Sequence, residues 1–426
     1  MSHRVGSLLS VCGLVALALQ PPAVHADDPA SGTAGQWPLT YLKADQVWQH
    51  TKGAGVTVGL VDSGVSPLGD TQDNLLPGAD FSAGSVSSGI AHVDTDVDSH
   101  GTTMAVLIAG TGGGDGLRGL APAAKILPAR MQKQSGSDPA KIANALQYAI
   151  TQHVKVVNMS LGTDNTPDLE AAVRQAEDAD VVVVAAAGNG GTGRVIIPAA
   201  YPGVVAVGAV DSTGTRWGMS NYGPQIALTG PGVGIPVEDA YGTTKVVRGT
   251  SNATAYVTAS AALVRAMHPD WTAGQTIRAL LATATKGGGS TGLNRNDMYG
   301  YGIVNPLAAL SVGAPVEKDN PLLPGTAPLA APLPATASTP PTPTPAPATS
   351  GAAAAAPKTS AKAKPSAGAL QKSAKTAAVA KSGPLSSRRD KIFAGCGGVA
   401  VIGLLFLLLN NVLKRRALRK SRAWWH

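Results

Sequence analysis

The sequence predicts an α/β fold: a doubly wound, mostly parallel sheet with helices on both faces, followed by a disordered tether and one C-terminal transmembrane helix. Three observations carry that expectation. Stretches 56–61, 154–159, 181–185 and 204–210 are short, β-branched and almost continuously apolar, the pattern of strands buried on both faces. Stretches 139–152, 169–178 and 251–267 are longer and rich in alanine, which suits helices. Strand-like and helix-like runs of this kind build a layered α/β domain. Beyond 313 both patterns stop, and proline, alanine, lysine and serine take over.

From the amino end, 1–26 holds Arg4, an apolar stretch from Leu8 to Leu19 and small residues at Val24 and Ala26. That is the layout of a secretory signal cleaved after Ala26, and its apolar part is too short to span a bilayer. Residues 27–312 are expected to form one domain, with 27–36 as a short extension or clasp. Little chain separates Asp27 from the first core strand, so no long pro-segment is expected. Residues 313–390 read as a Pro/Ala/Lys-rich linker, because 332–347 is proline-studded and 352–381 has no aromatic residue; such composition buries no core. A transmembrane helix is expected at 391–413, where 392–413 carries no charge. At about 1.5 Å per residue it is long enough to cross a bilayer. Lys414, Arg415, Arg416, Arg419, Lys420 and Arg422 then mark 414–426 as a basic cytoplasmic tail. Signal and anchor agree on a single-pass protein of the cell membrane, with its folded domain outside.

Charge and cysteine content narrow the function. Residues 313–426 hold 16 basic and 3 acidic residues, and Arg4 adds one charge, so a total of +8 leaves 27–312 at −6. Nucleic-acid binding by the folded domain is disfavoured, since it needs a basic face. Of the two cysteines, Cys12 lies in the signal and Cys396 in the expected membrane helix. The domain therefore has no disulfide and no cysteine cluster for zinc. No cofactor is expected, and the run Asp94-Thr95-Asp96-Val97-Asp98 reads as a solvated loop.

Three segments carry the chemistry: Val61-Asp62-Ser63-Gly64, Ser99-His100-Gly101-Thr102 and Gly249-Thr250-Ser251-Asn252-Ala253. A serine hydroxyl is a poor nucleophile until an imidazole takes its proton, and a carboxylate must orient that imidazole. Each group also has an ordinary structural use. Asp62 could cap a turn, Ser251 could cap the helix it opens, and any one of the eight histidines could be a surface residue. The order Asp, His, Ser differs from the other two orders known for this chemistry, and the G-x-S-x-G elbow is absent.

In that order the chain resembles the subtilisin-like peptidases. The resemblance extends to 154–162, 186–189, 201–209, 220–223 and 230–232, and spans roughly 37–310. It implies a serine endopeptidase in which Asp62, His100 and Ser251 form the triad. Asn189 would be the oxyanion-hole donor, together with the Ser251 amide. The resemblance further implies that a polypeptide substrate lies along Ser160, Leu161 and Gly162. These residues, with Ala186, Ala187 and Gly188, would line the pocket for the side chain before the scissile bond. All but one are small, so a medium or large apolar side chain is expected there. Two positions depart from the family pattern: Ser99 stands where many relatives have glycine, and Ala255 where many have proline. The whole layout of signal, peptidase, tether, helix and basic tail resembles the mycosins, membrane-anchored proteases associated with type VII secretion. That likeness implies secretion-complex components as partners, although the disulfides frequent in mycosins are missing. A different class stays open, a scaffold that stabilises the secretion complex with catalysis dispensable.

Overall fold

Eight of the strands in this computed structural model form one sheet, and their sequence explains its two-sided burial. The structure describes residues 35–329, apart from 69, 83–86, 89–92, 95, 97, 114–115, 132–136, 288–292 and 328. All belong to the first of two units, Met1–Thr342. The expected signal, transmembrane helix and tail lie outside the described residues, as does the tether beyond 329. Among the described residues no helix is long and apolar enough to cross a membrane.

The strands are β1 (Thr57–Asp62), β2 (Ala79–Asp80), β3 (Ser87–Ser88), β4 (Lys125–Arg130), β5 (Val156–Met159), β6 (Val182–Ala186), β7 (Val205–Val210) and β8 (Ile226–Pro231), ordered β3-β2-β4-β1-β5-β6-β7-β8. Every pairing is parallel except β2 with β3. The four expected strands lie within two residues of their expected limits. β4 and β8 carry Pro128 and Thr-Gly-Pro respectively, breakers that interrupt an apolar run. A hairpin of β9 (Val233–Glu238) and β10 (Thr244–Arg248) stands apart from the sheet.

Alternation along the strands divides the core in two. Val58, Leu60, Val156, Val182, Val184 and Val207 pack on one face, with α3 (His100–Ala109), α6 (Thr250–Met267) and α7 (Ala273–Ala282). Val157, Met159, Val183 and Ala185 pack on the other, with α4 (Pro139–Thr151) and α5 (Pro167–Asp178). Side chains of period two send successive residues to opposite layers.

α6 is the pin of the fold, buried from Asn252 through Arg265. A helix covered on all sides satisfies most of its polar groups within the protein, and here the Tyr256 hydroxyl is the one buried side-chain oxygen of the helix without a hydrogen-bond partner among the described residues. Thr254 and Ser260 hydroxyls each donate to the carbonyl four residues back at 2.8 Å, and Thr258 donates to Asn158 Oδ1 at 3.0 Å. Near its far end Arg265 pairs with Asp180 at 2.6 Å. The other end therefore stands fixed beside the carboxyl ends of β5 and β8.

The domain also extends beyond its expected limit at 312. Gln275 donates to Pro315 O, Thr272 to Lys318 O, Arg278 to Asp319 O and Asn320 to Gly203 O. Backbone acceptors meeting side-chain donors of α7 hold this segment without an apolar run, so composition does not reveal it. At the amino end, Gln36 exchanges two hydrogen bonds of 2.9 Å with the Arg118 backbone, and Trp37 donates to Gly234 O. Two short helices, α1 (Trp37–Tyr41) and α2 (Ala44–His50), bury Leu39 and Val47 in the main core. Of the expected clasp, 27–34 lies outside the described residues.

Candidate active site

Asp62 ends β1 with its side chain buried, and His100 opens α3. His100 Nδ1 lies 2.7 Å from Asp62 Oδ1 and 3.0 Å from Oδ2. A carboxylate only accepts, so the ring proton sits on Nδ1 and the other nitrogen, Nε2, is the basic one. Ser63 supports this pair by donating its amide to Asp62 Oδ1 at 2.8 Å and accepting the Gly101 amide at 2.9 Å. Close packing follows: a Cβ on Gly101 would stand 2.1 Å from Gly64 O, so α3 can begin here only with glycine in its first turn.

Asp94 corrects the expectation of a solvated 94–98 loop. Its Oδ2 accepts from the Thr102 amide at 2.8 Å and the Thr102 hydroxyl at 2.7 Å, while Oδ1 accepts from Ser63 Oγ at 2.8 Å. The carboxylate thus caps α3 from outside the helix, and its charge suits the positive helix end. Ser99, the residue at the cap position, makes no side-chain cap bond. Its φ of +53° lies in the left-handed region, and its buried hydroxyl has no hydrogen-bond partner among the described residues.

Ser251 stands in the first turn of α6. Its Oγ donates to Ser160 O at 3.4 Å, and Ser160 Oγ donates to Ser251 O at 3.2 Å. Asn158 Nδ2 donates to Ser160 Oγ at 3.1 Å, so β5 and α6 are cross-linked at the hydroxyl. Asn189 has a fixed orientation. Its Oδ1 accepts from the Thr250 amide at 2.9 Å and the Thr250 hydroxyl at 2.8 Å. A backbone N–H can only donate, which assigns that arm as the oxygen and leaves Nδ2 as the donor arm. Asn221 holds the same loop, its Oδ1 accepting the amides of Gly190 and Thr192.

One cleft of about 530 Å³ is lined by His100, Ser160, Leu161, Gly162, Ala186, Gly188, Asn189 and Ser251. The structure thus brings together nine of the ten residues singled out from the sequence, because Asp62 reaches the cleft through His100. Ala187 is the exception: it is fully buried in the second core, with its amide donated to Val207 O. Asp94, Ser63, Thr250 and Asn221 escaped sequence reading, and Ser63, Thr250 and Asn221 at least sit inside motifs already quoted. Nothing local distinguishes Asp94 from its acidic neighbours.

Ile196 also lines this cleft and stands against both walls of the expected side-chain pocket, with Cδ1 2.7 Å from where a Gly162 Cβ would be and Cγ2 3.1 Å from where a Gly188 Cβ would be.

An acid–imidazole pair, a serine hydroxyl and a side-chain amide sharing one cleft at the carboxyl edge of a parallel sheet define a serine-hydrolase type of site. The chain belongs to the subtilase family, peptidase S8, whose family model matches residues 53–302. It is 34% identical over 301 residues to M-protease of Shouchella clausii (strain KSM-K16), covering 69% of this chain and 76% of that protein. Subtilisin Savinase of Lederbergia lenta is 36% identical over 259 residues, 60% of this chain and 91% of the relative. Among solved structures, the MycP3 protease from the type VII (ESX-3) secretion system shares 30% identity at a TM-score of 0.55, covering 66% of this chain and 89% of that one. MycP1 with its N-terminal propeptide removed shares 28% identity at a TM-score of 0.58, covering 66% and 99%. The chain is a serine endopeptidase with a subtilisin-like fold, and its likeness extends to mycosin proteases.

Proposed function

We propose that this endopeptidase cleaves by an Asp62–His100–Ser251 triad with Asn189 as oxyanion donor, and that it works outside the cell membrane on exported proteins of a type VII secretion system. The 2.7 Å contact between His100 Nδ1 and Asp62 carries the catalytic part, since it directs Nε2 chemistry to the cleft that holds Ser251. His100 takes the Ser251 proton as Oγ attacks the peptide carbonyl, then gives it to the leaving amine. Asp62 stays ionised and steadies the imidazolium. Asn189 Nδ2 and the Ser251 amide, which by position has no intrahelical acceptor, hold the negative oxygen. Water then releases the acyl group by the reverse route.

Location and pathway rest on separate support: the signal-like start, the uncharged stretch 392–413 with its basic flank, and the likeness to proteases of that secretion system. Labelling the full-length chain with a fluorophosphonate tests the chemistry. The wild type is expected to label and Ser251→Ala to lose at least 99% of the signal; an unlabelled, well-folded wild type defeats the triad. Comparing the N-termini of exported proteins between wild-type and Ser251→Ala strains tests the pathway, and identical sets would favour the scaffold role.

A further inference from the structure

Resting on the reading of Ser251 as nucleophile, we infer that Ile196 sets the substrate class: it closes the pocket for the side chain before the scissile bond, so the enzyme cuts after alanine, glycine or serine. The floor of that pocket is built from three segments. Ile196 donates its amide to Ala187 O at 3.1 Å, and the Thr163 amide donates to Ile197 O at 3.1 Å. Thr163 and Ile197 also form an antiparallel bridge. The segment 195–197 is thereby tied on one side to the Ala186–Asn189 wall and on the other to the Ser160–Gly162 wall. Its isoleucine side chain stands in the gap between them.

That gap accepts it because both walls lack a Cβ at the point of contact. A methyl on Gly162 would come within 2.7 Å of Ile196 Cδ1, and one on Gly188 within 3.1 Å of Cγ2. The isoleucine has taken up the room that Gly162 provides and shares that beside Gly188 with Asn221, whose Nδ2 lies 2.5 Å from the same point. Behind it lies a second cavity of about 480 Å³, lined among others by Thr163, Asn165, Arg194 and Pro224. Ile196 lines both cavities and is therefore the partition between them. A β-branched side chain is stiff at χ1, and its backbone is pinned on both sides, so it does not swing aside for a large residue. A methyl or hydroxymethyl group fits in front of it, whereas a phenyl ring requires the space its own carbons fill. One methylene too many in such a pocket costs about 10–200-fold in kcat/KM.

The test uses the full-length chain and peptides succinyl-Ala-Ala-Pro-X-p-nitroanilide with X as Ala, Leu or Phe, all rates divided by the sites that label with fluorophosphonate. The wild type is expected to prefer Ala over Phe at least tenfold. Ile196→Gly, which joins the two cavities, should raise the Phe-to-Ala ratio at least a hundredfold, and Ile196→Ala should raise it by a smaller factor. A labelled wild type that prefers Phe overturns the inference and leaves the triad standing. So does a ratio unmoved in both Ile196→Gly and Ile196→Ala. Should Ile196→Gly fail to label, Ile196→Ala decides alone. Absence of labelling in the wild type defeats the triad, and the inference falls with it.

Discussion

Three helices that carry none of the candidate reacting groups and two that carry them are capped in opposite ways. α4, α5 and α7 cap themselves: Asp138 accepts the Ala140 amide, Thr166 the Leu169 amide and Thr272 the Gln275 amide, the last within a reciprocal capping box. α3 and α6 make no side-chain cap bond from their own cap residues, Ser99 and Gly249. Their first amides are satisfied from elsewhere in the chain, by Asp94 and Ser63 for α3 and by Asn189 for α6. A cap made in place orders only its own helix. A cap made from a distant loop orders the loop as well, and here each such loop borders the cleft. Capping energy and site assembly are thus one interaction at α3 and α6, and two separate matters at α4, α5 and α7.

The comparison breaks first at Asn189. Asn189→Asp keeps an oxygen to accept from Thr250 but removes the donor arm, so turnover is expected to fall roughly 10²–10³-fold with little change in melting temperature; that size is carried over from subtilisin itself, a relative of this chain. Asn189→Ala should show the same kinetic loss plus a drop in stability of about 1 kcal/mol from the uncapped Thr250 amide. Should both variants keep wild-type kcat, Asn189 is a cap and nothing more.

Asp94→Ala and Thr272→Ala form the next pair. Each removes a side-chain cap, and each is expected to cost about 1–2 kcal/mol in denaturant unfolding. Only Asp94→Ala should also lower kcat, by about tenfold or more, because the start of α3 loosens and His100 with it. Equal kcat in the two variants would show that a distant cap has no special part in the site.

Ser99→Gly gives the smallest effect and sharpens the account of α3. A left-handed φ of +53° at a residue with a Cβ costs about 1–2 kcal/mol, offset by the greater freedom of glycine in the unfolded chain, about 0.4–1 kcal/mol. A net gain between about 0 and 1.6 kcal/mol is expected, with kcat/KM within about twofold of wild type. A loss of stability would mean that the Ser99 hydroxyl has a partner the geometry does not reveal.

How much of this was legible beforehand follows the same division. The runs at β1, β5, β6 and β7 declare themselves because a strand buried on both faces must be apolar throughout, and α4 and α5 because their caps and apolar stripes are local. Asp62, His100, Ser251 and Asn189 stood out by their motifs and chain order, and the structure gathers them at one cleft. β4 and β8 were obscured by Pro128 and Pro231, and the docked segment 315–327 by its lack of an apolar run. Asp94 looked like one solvated acid among three, since nothing near it announces that Thr102 will fold back onto it. Ile196 was missed for a related reason: the sequence shows small residues on the pocket walls, but not which distant side chain will fill the room they make.

The sequence by itself determined four strands of the sheet, its two apolar faces, the candidate reacting groups and the family to which the chain belongs, because apolar period and short motifs are properties of neighbouring residues. Only the tertiary structure decided which loop caps which helix, that Asn189 turns its nitrogen away from Thr250, and that Ile196 stands between two cavities. Those are contacts between residues eight to more than sixty positions apart in the chain, made by geometry that exists only after the two cores have closed.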